Sequence, residues 1–148
     1  MDRENMGRPI ELLLVEDNSD DVYLTKLAFE DAKVITNLTV VTDGEAAMDF
    51  LNKKDPYTNA PRPDLILLDL NLPKKDGREV LEEIKTDENL KSIPVVILTT
   101  SSADKDILRT YNLHANCYLV KPIDLEQLFS MVHSIKDFWF TIVKLPTS

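Results

Sequence analysis

Five positions at the ends of short apolar runs carry side chains that together could handle a phosphoryl group. Glu16 and Asp17 follow residues 10–15 (IELLLV), Asp69 follows residues 65–68 (LILL), Thr99 ends residues 94–99 (PVVILT), and Lys121 follows residues 116–120 (NCYLV). Carboxylates brought close together do not all ionise comfortably without a cation. A ligand set made only of oxygens suits a hard ion such as Mg²⁺. A threonine hydroxyl and a lysine ammonium are suited to hold phosphoryl oxygens. A nucleophilic carboxylate, an ion, a hydroxyl and an ammonium make an aspartyl-phosphate site. Positioned charge, rather than a general base, would supply most of the rate there. Asp is also a common turn residue, so the chemistry depends on whether these positions meet.

What must position them is read from the pattern of the chain. Residues 64–77 (DLILLDLNLPKKDG) hold an apolar run bounded by Pro63 and by the turn signals Pro73, Asp76 and Gly77. Such a run reads as a strand buried on both faces. Residues 10–15, 38–41, 94–99 and 116–120 read as four more strands. Between them lie helical patterns. Asn18 or Ser19 caps the first, which carries Val22, Leu24, Leu27, Ala28 and Ala32. Residues 45–51 turn Ala46, Ala47, Phe50 and Leu51 inward, and residues 77–85 turn Val80, Leu81 and Ile84. Residues 104–113 read as a fourth helix, and a fifth is expected to start at Asp124. The polar, proline-rich stretch 53–63 reads as a loop longer than the usual connection of about 4–6 residues. Five strands alternating with five helices predict a parallel sheet covered on both faces. Ligands of such sheets bind at the carboxyl ends of the strands, and all five chemical positions fall there. If strands 1 and 3 are neighbours, the three carboxylates converge.

Composition narrows the function. At 148 residues and 43% hydrophobic content, one domain with a sizeable core is expected. The net charge of −9 argues against a nucleic-acid-binding surface. A single cysteine allows no internal disulfide and fits the cytoplasm. No signal peptide and no membrane-length apolar run is seen. Three glycines, Gly7, Gly44 and Gly77, are too few for a GxGxxG or Walker phosphate loop.

Glu16-Asp17, Asp69, Thr99 and Lys121-Pro122, each at a strand end and in this order, resemble the receiver domain of two-component response regulators. The resemblance covers about residues 11–135 and implies a flavodoxin-like (βα)5 fold with strand order 2-1-3-4-5. It implies that Asp69 accepts a phosphoryl group from a histidine kinase, and that Asp17 ligates Mg²⁺ directly and Glu16 mostly through water. The backbone carbonyl of Asn71 is a further implied ligand, with Thr99 and Lys121 on the phosphoryl oxygens. A cis Lys121-Pro122 bond is also implied. More narrowly, PRPDLILLDLNLPKKDGREVL, IPVV, LTTS, NCYL and FWFTIVKLP are similar to the single-domain regulators paired with cyanobacterial bacteriophytochrome-type kinases. A light-sensing partner is implied by that likeness alone.

Other residues are placed around this reading. Tyr118 stands where the family has an aromatic switch residue that follows Thr99 inward; the alternative is a strand aromatic packed in place. Thr100 is larger than the residue common at that position in the family, which would slow access to the site, and Asn71 and Ser101 occupy positions that tune dephosphorylation. Cys117 is expected to pack in the sheet, His114 and His133 to be ordinary, and Asp20 and Asp21 to lie on a solvated face near the site. In the tail, Leu125, Leu128, Val132, Ile135, Trp139 and Ile142 form one helical stripe, and Phe129, Met131, Phe138 and Phe140 fall off it. A helix apolar on more than one side needs a second surface. Either the tail folds back on its own core, or residues 137–148 extend a receiver core of about 9–136 into a homodimer interface using Phe129, Phe138, Trp139 and Phe140. Three residues after Leu145 leave no room for an output module, so output is expected through protein contacts or onward phosphate relay. A haloacid-dehalogenase-type phosphohydrolase would need a second Asp where Asn71 stands. A receiver-like scaffold without turnover would have no need of three carboxylates.

Overall fold

The computed structural model describes residues 9–99, 117–122 and 124–144. The strands are β1 (Ile10–Val15), β2 (Thr36–Val41), β3 (Leu65–Asp69), β4 (Val95–Thr99) and β5 (Cys117–Val120). The helices are α1 (Ser19–Asp31), α2 (Gly44–Leu51), α3 (Gly77–Thr86) and α4 (Leu125–Lys144). All strands are parallel and lie in the order β2-β1-β3-β4-β5, as expected. The expected helix over 104–113, with Thr100, Ser101 and His114, lies outside the described residues.

The unbroken apolar runs of β1 and β3 follow from burial on both faces. Alternate residues feed two cores. Leu13, Val15, Ile66, Leu68 and Ile97 pack with α2 and α3, while Leu12, Leu14, Leu67, Val96 and Leu98 pack with α1 and α4. Each fully buried Leu or Ile contributes about 1.5–3 kcal/mol, against about 0–1 kcal/mol for an exposed ion pair. The two-sided core therefore sets the architecture, and charge is left to do other work at the strand ends.

Helix starts follow their caps. The Asn18 side chain accepts from the Asp20 and Asp21 amides at 2.9 and 3.1 Å. Asp43 accepts from Ala46 N at 2.8 Å and Asp124 from Glu126 N at 2.8 Å. Some inward faces differ from the sequence pattern. In α1 the buried residues are Thr25, Ala28 and Phe29, with Val22 and Leu24 only half-buried. The Thr25 hydroxyl donates to the Asp21 carbonyl at 2.8 Å, which lets a polar residue sit inward. Met48 joins the inward face of α2. In α4, Leu128, Met131 and Val132 are buried and Phe129 and Ile135 half-buried against the same core, whereas Leu125 is 47% exposed. Part of the tail's second apolar side is thus covered by the chain's own sheet.

β2 begins at Thr36, two residues before the expected start, because pairing with Ile10 and Glu11 extends it. The 53–63 loop is anchored rather than simply polar. Tyr57 meets Phe50 edge-on at 5.5 Å, Ala60 is buried, and Arg62 donates to the Asn89 carbonyl and to Ser92 Oγ. Lys121-Pro122 is cis, as implied, and so is Asp55-Pro56.

Candidate functional site

The site lies where the connections from β1 and β3 leave on opposite faces of the sheet. A parallel sheet opens a crevice at such a reversal. Val15 pairs with Leu68, so Glu16 and Asp69 emerge side by side. Asp69 pairs with Leu98, and Thr99 with Val120, so Thr99 and Lys121 lie at the same edge, one and two strands further on.

The carboxylates meet as expected. One oxygen each from Glu16, Asp17 and Asp69 lies within 4.8 Å of the others. Glu16 and Asp69 are buried, and Asp17 is exposed at the rim. Both Asp69 oxygens are engaged: Oδ1 accepts from the Asn71 amide at 2.9 Å, and Oδ2 from Lys121 Nζ at 3.2 Å. Glu16 Oε2 accepts from Lys121 Nζ at 2.9 Å and from the Asn18 amide at 3.1 Å. Glu16 Oε1, also 2.9 Å from the ammonium, is buried and accepts no hydrogen bond.

The electrostatics follow from this crowding. Burial pushes the Glu16 carboxyl up to about 7, and the negative charge of Asp69 adds to that push. The hydrogen bond and charge of Lys121 and the Asn18 amide pull the other way without cancelling it. Burial also opposes charge on Lys121, but its bonds to Glu16 and Asp21 and the field of Asp69 outweigh it, so the ammonium holds its proton more tightly than an ordinary lysine. Three carboxylates with oxygens within 4.8 Å of one another, two of them buried, fit a hard divalent cation.

Two glycines let the connecting loop pass close behind this cluster. A Cβ on Gly77 would stand 2.4 Å from the Asp69 carbonyl oxygen and 2.5 Å from Leu70 Cα. A Cβ on Gly44 would stand 2.0 Å from the Lys75 carbonyl oxygen. The Gly77 amide donates to the Leu70 carbonyl at 3.0 Å, seating α3 directly behind Asp69. The absence of side chains, not a positive φ, is what these positions require.

One residue of the cluster was not read from the sequence as part of it. Asp21, expected on a solvated face, has a side chain only 15% exposed, with Oδ2 2.9 Å from Lys121 Nζ. The readable signal was its place in the first turn of a helix whose cap, Asn18, directly follows the acidic pair. Asp20 is exposed, as expected. Tyr118 lies in β5 opposite Ile97, and the side chains of Thr99, Tyr118 and Cys117 lie outside the described residues.

The family model "Response regulator receiver domain" matches residues 12–133. The chain belongs to the response regulator receiver family. This receiver is 51% identical over 140 residues to response regulator Rcp1 of Synechocystis sp., covering 95% of each chain. The crystal structure of the phosphorylated cyanobacterial phytochrome response regulator RcpA matches with a TM-score of 0.79 and 50% identity, over 95% of this chain and 100% of that one. The Mn²⁺-bound form of Rcp1 matches with a TM-score of 0.78 and 51% identity, over 94% and 100%. The receiver is therefore a signalling protein of the two-component class, and the dehalogenase-type hydrolase reading falls away. Its resemblance to regulators of phytochrome systems, visible in short stretches of sequence, extends across the chain.

Proposed function

We propose that this receiver takes a phosphoryl group from the phosphohistidine of a phytochrome-type histidine kinase onto Asp69. The observation that carries the reading is the meeting of Asp69 with Glu16, Asp17 and Lys121 at one sheet edge. An Asp69 carboxylate oxygen attacks phosphorus, the P–N bond to the kinase imidazole breaks, and an acyl phosphate forms while the imidazole keeps the departing electron pair. Glu16, Asp17, Asp69 and the Asn71 carbonyl would hold Mg²⁺, which neutralises phosphoryl charge when bound. Lys121 supplies a fixed positive charge on the donor side, and Thr99 a hydroxyl for a phosphoryl oxygen. The receiver catalyses this transfer itself, with slow loss of phosphate afterwards. The added charge of about −1.5 to −2 then biases Thr99 and Tyr118 between two arrangements and changes the surface offered to partners.

The kinase class is supported by the likeness to Rcp1 and RcpA. The proposal places the protein in the cytoplasm. Among the described residues no helix is long and apolar enough to cross a membrane, and the net charge of −9 speaks against nucleic acid as a partner. Residues 9–136 form the receiver core. Residues 137–148 extend it into a homodimer contact with Phe129, Phe138, Trp139 and Phe140.

The test is intact-protein mass after incubation with acetyl phosphate, with and without Mg²⁺, on the wild type and on Asp69→Asn. A single Mg²⁺-dependent phosphoryl addition, lost in the variant, is expected. No addition from acetyl phosphate or from a cognate kinase would leave the scaffold reading standing instead.

A further inference from the structure

Lys121 has three N–H donors, and three carboxylates surround it. Its Nζ lies 2.9 Å from Glu16 Oε2, 2.9 Å from Asp21 Oδ2 and 3.2 Å from Asp69 Oδ2. The ammonium is saturated before any phosphoryl oxygen arrives. To grip one, it must release a carboxylate. Glu16 and Asp69 belong to the oxygen trio that fits a divalent cation, and Asp21 does not. When that trio has another positive charge to face, Asp21 is the carboxylate left with a claim on Lys121.

We infer that Asp21 is a positioning residue that parks the Lys121 ammonium and competes with the phosphoryl group for it. The inference rests on the reading of Asp69 as the acceptor. Asp21 is built to hold its place. Its amide donates to the Asn18 cap at 3.1 Å, and its carbonyl accepts from the Thr25 hydroxyl at 2.8 Å. Both bonds use the backbone, so the side chain can change without loosening the turn. Its carboxylate is mostly shielded, which makes its hold on the ammonium stronger than that of an exposed pair. Asp21 thereby disfavours lysine engagement until the incoming anion outbids it, and it sets how tightly the resting receiver takes up an anion at Asp69.

The experiment measures affinity for beryllofluoride, an anion that mimics a phosphoryl group, by NMR titration of the full chain in excess Mg²⁺. Asp21→Asn is expected to bind about threefold to tenfold more tightly than the wild type. Asp21→Glu, which keeps the charge and can reach Lys121, is expected to restore wild-type affinity. Asp20→Asn, which removes the same charge one residue away on an exposed side chain, is expected to match the wild type. Unchanged or weaker binding by Asp21→Asn overturns the inference, as does equal tightening by Asp20→Asn, which would reduce the effect to overall charge. Failure of the wild type to bind beryllofluoride overturns the Asp69 reading as well, whereas wild-type binding with an unresponsive Asp21→Asn overturns this inference alone.

Discussion

Lys121 Nζ lies 3.2 Å from Asp69 Oδ2, joining the end of the fifth strand to the end of the third across the intervening strand. Both side chains are nearly shut off from water, at 12% and 3% exposure, and Glu16 shares the same ammonium. Removing one partner of a buried charge group leaves the others uncompensated. Lys121→Ala is expected to lower stability by about 3 kcal/mol in EDTA, with Mg²⁺ restoring much of the loss. Denaturant unfolding with and without the metal checks this, and an equal loss in both buffers would count against it.

The raised Glu16 carboxyl gives a pH dependence of definite sign. Its value in the fold, about 7, lies above the ordinary 4.5. The folded state therefore binds more protons than the unfolded state between those values, and stability falls as pH rises through that window. The metal-free wild type is expected to lose unfolding free energy between pH 5 and pH 7.5 relative to Glu16→Gln, whose amide does not titrate. Urea midpoints of the two proteins at both pH values make the comparison, and parallel slopes would refute the assignment.

Gly77→Ala places a methyl group against backbone at the Asp69 carbonyl and Leu70 Cα. Neither can swing aside as a side chain would, so the start of α3 must move off the sheet. A cost of about 1–3 kcal/mol is expected, with slower phosphoryl uptake because Asp69 and the Asn71 amide shift together. Thermal unfolding and intact mass after acetyl phosphate treatment report the two effects separately.

The proposed dimer contact uses Phe129, only half-buried on the core, together with Phe138, Trp139 and Phe140 further along the chain. Leu128, Met131 and Val132 are already buried in that core. Combining Phe138→Ala with Trp139→Ala is expected to yield monomers by light scattering while phosphorylation continues. An unchanged mass would remove these residues from the interface.

Much of this was legible beforehand because burial writes itself into sequence. The four-residue run 65–68 announced a strand covered on both faces, and its abrupt stop marked the edge where Asp69 stands. The three carboxylates and Lys121 then came together once the order 2-1-3-4-5 made β1 and β3 neighbours. Other features were not legible, for physical reasons. Asp21 looks like any acid in the first turn of a helix; only the long reach of Lys121 across the sheet gives it a partner. Thr25 sits inward because its hydroxyl is satisfied by its own helix, which polarity alone does not reveal. Gly44 carries no mark of the Lys75 backbone that passes over it, since that approach comes from a distant part of the chain.

The hydrogen bond between Lys121 and Glu16 closes a separation of 105 residues. While the chain is being synthesised, Glu16, Asp21 and Asp69 all emerge before the lysine that pairs with them. The acidic edge is made by β1 and β3, and its ammonium comes only with the segment that follows β5. Docking of the fifth strand is thus the event that both finishes the sheet and brings an ammonium to its acidic edge.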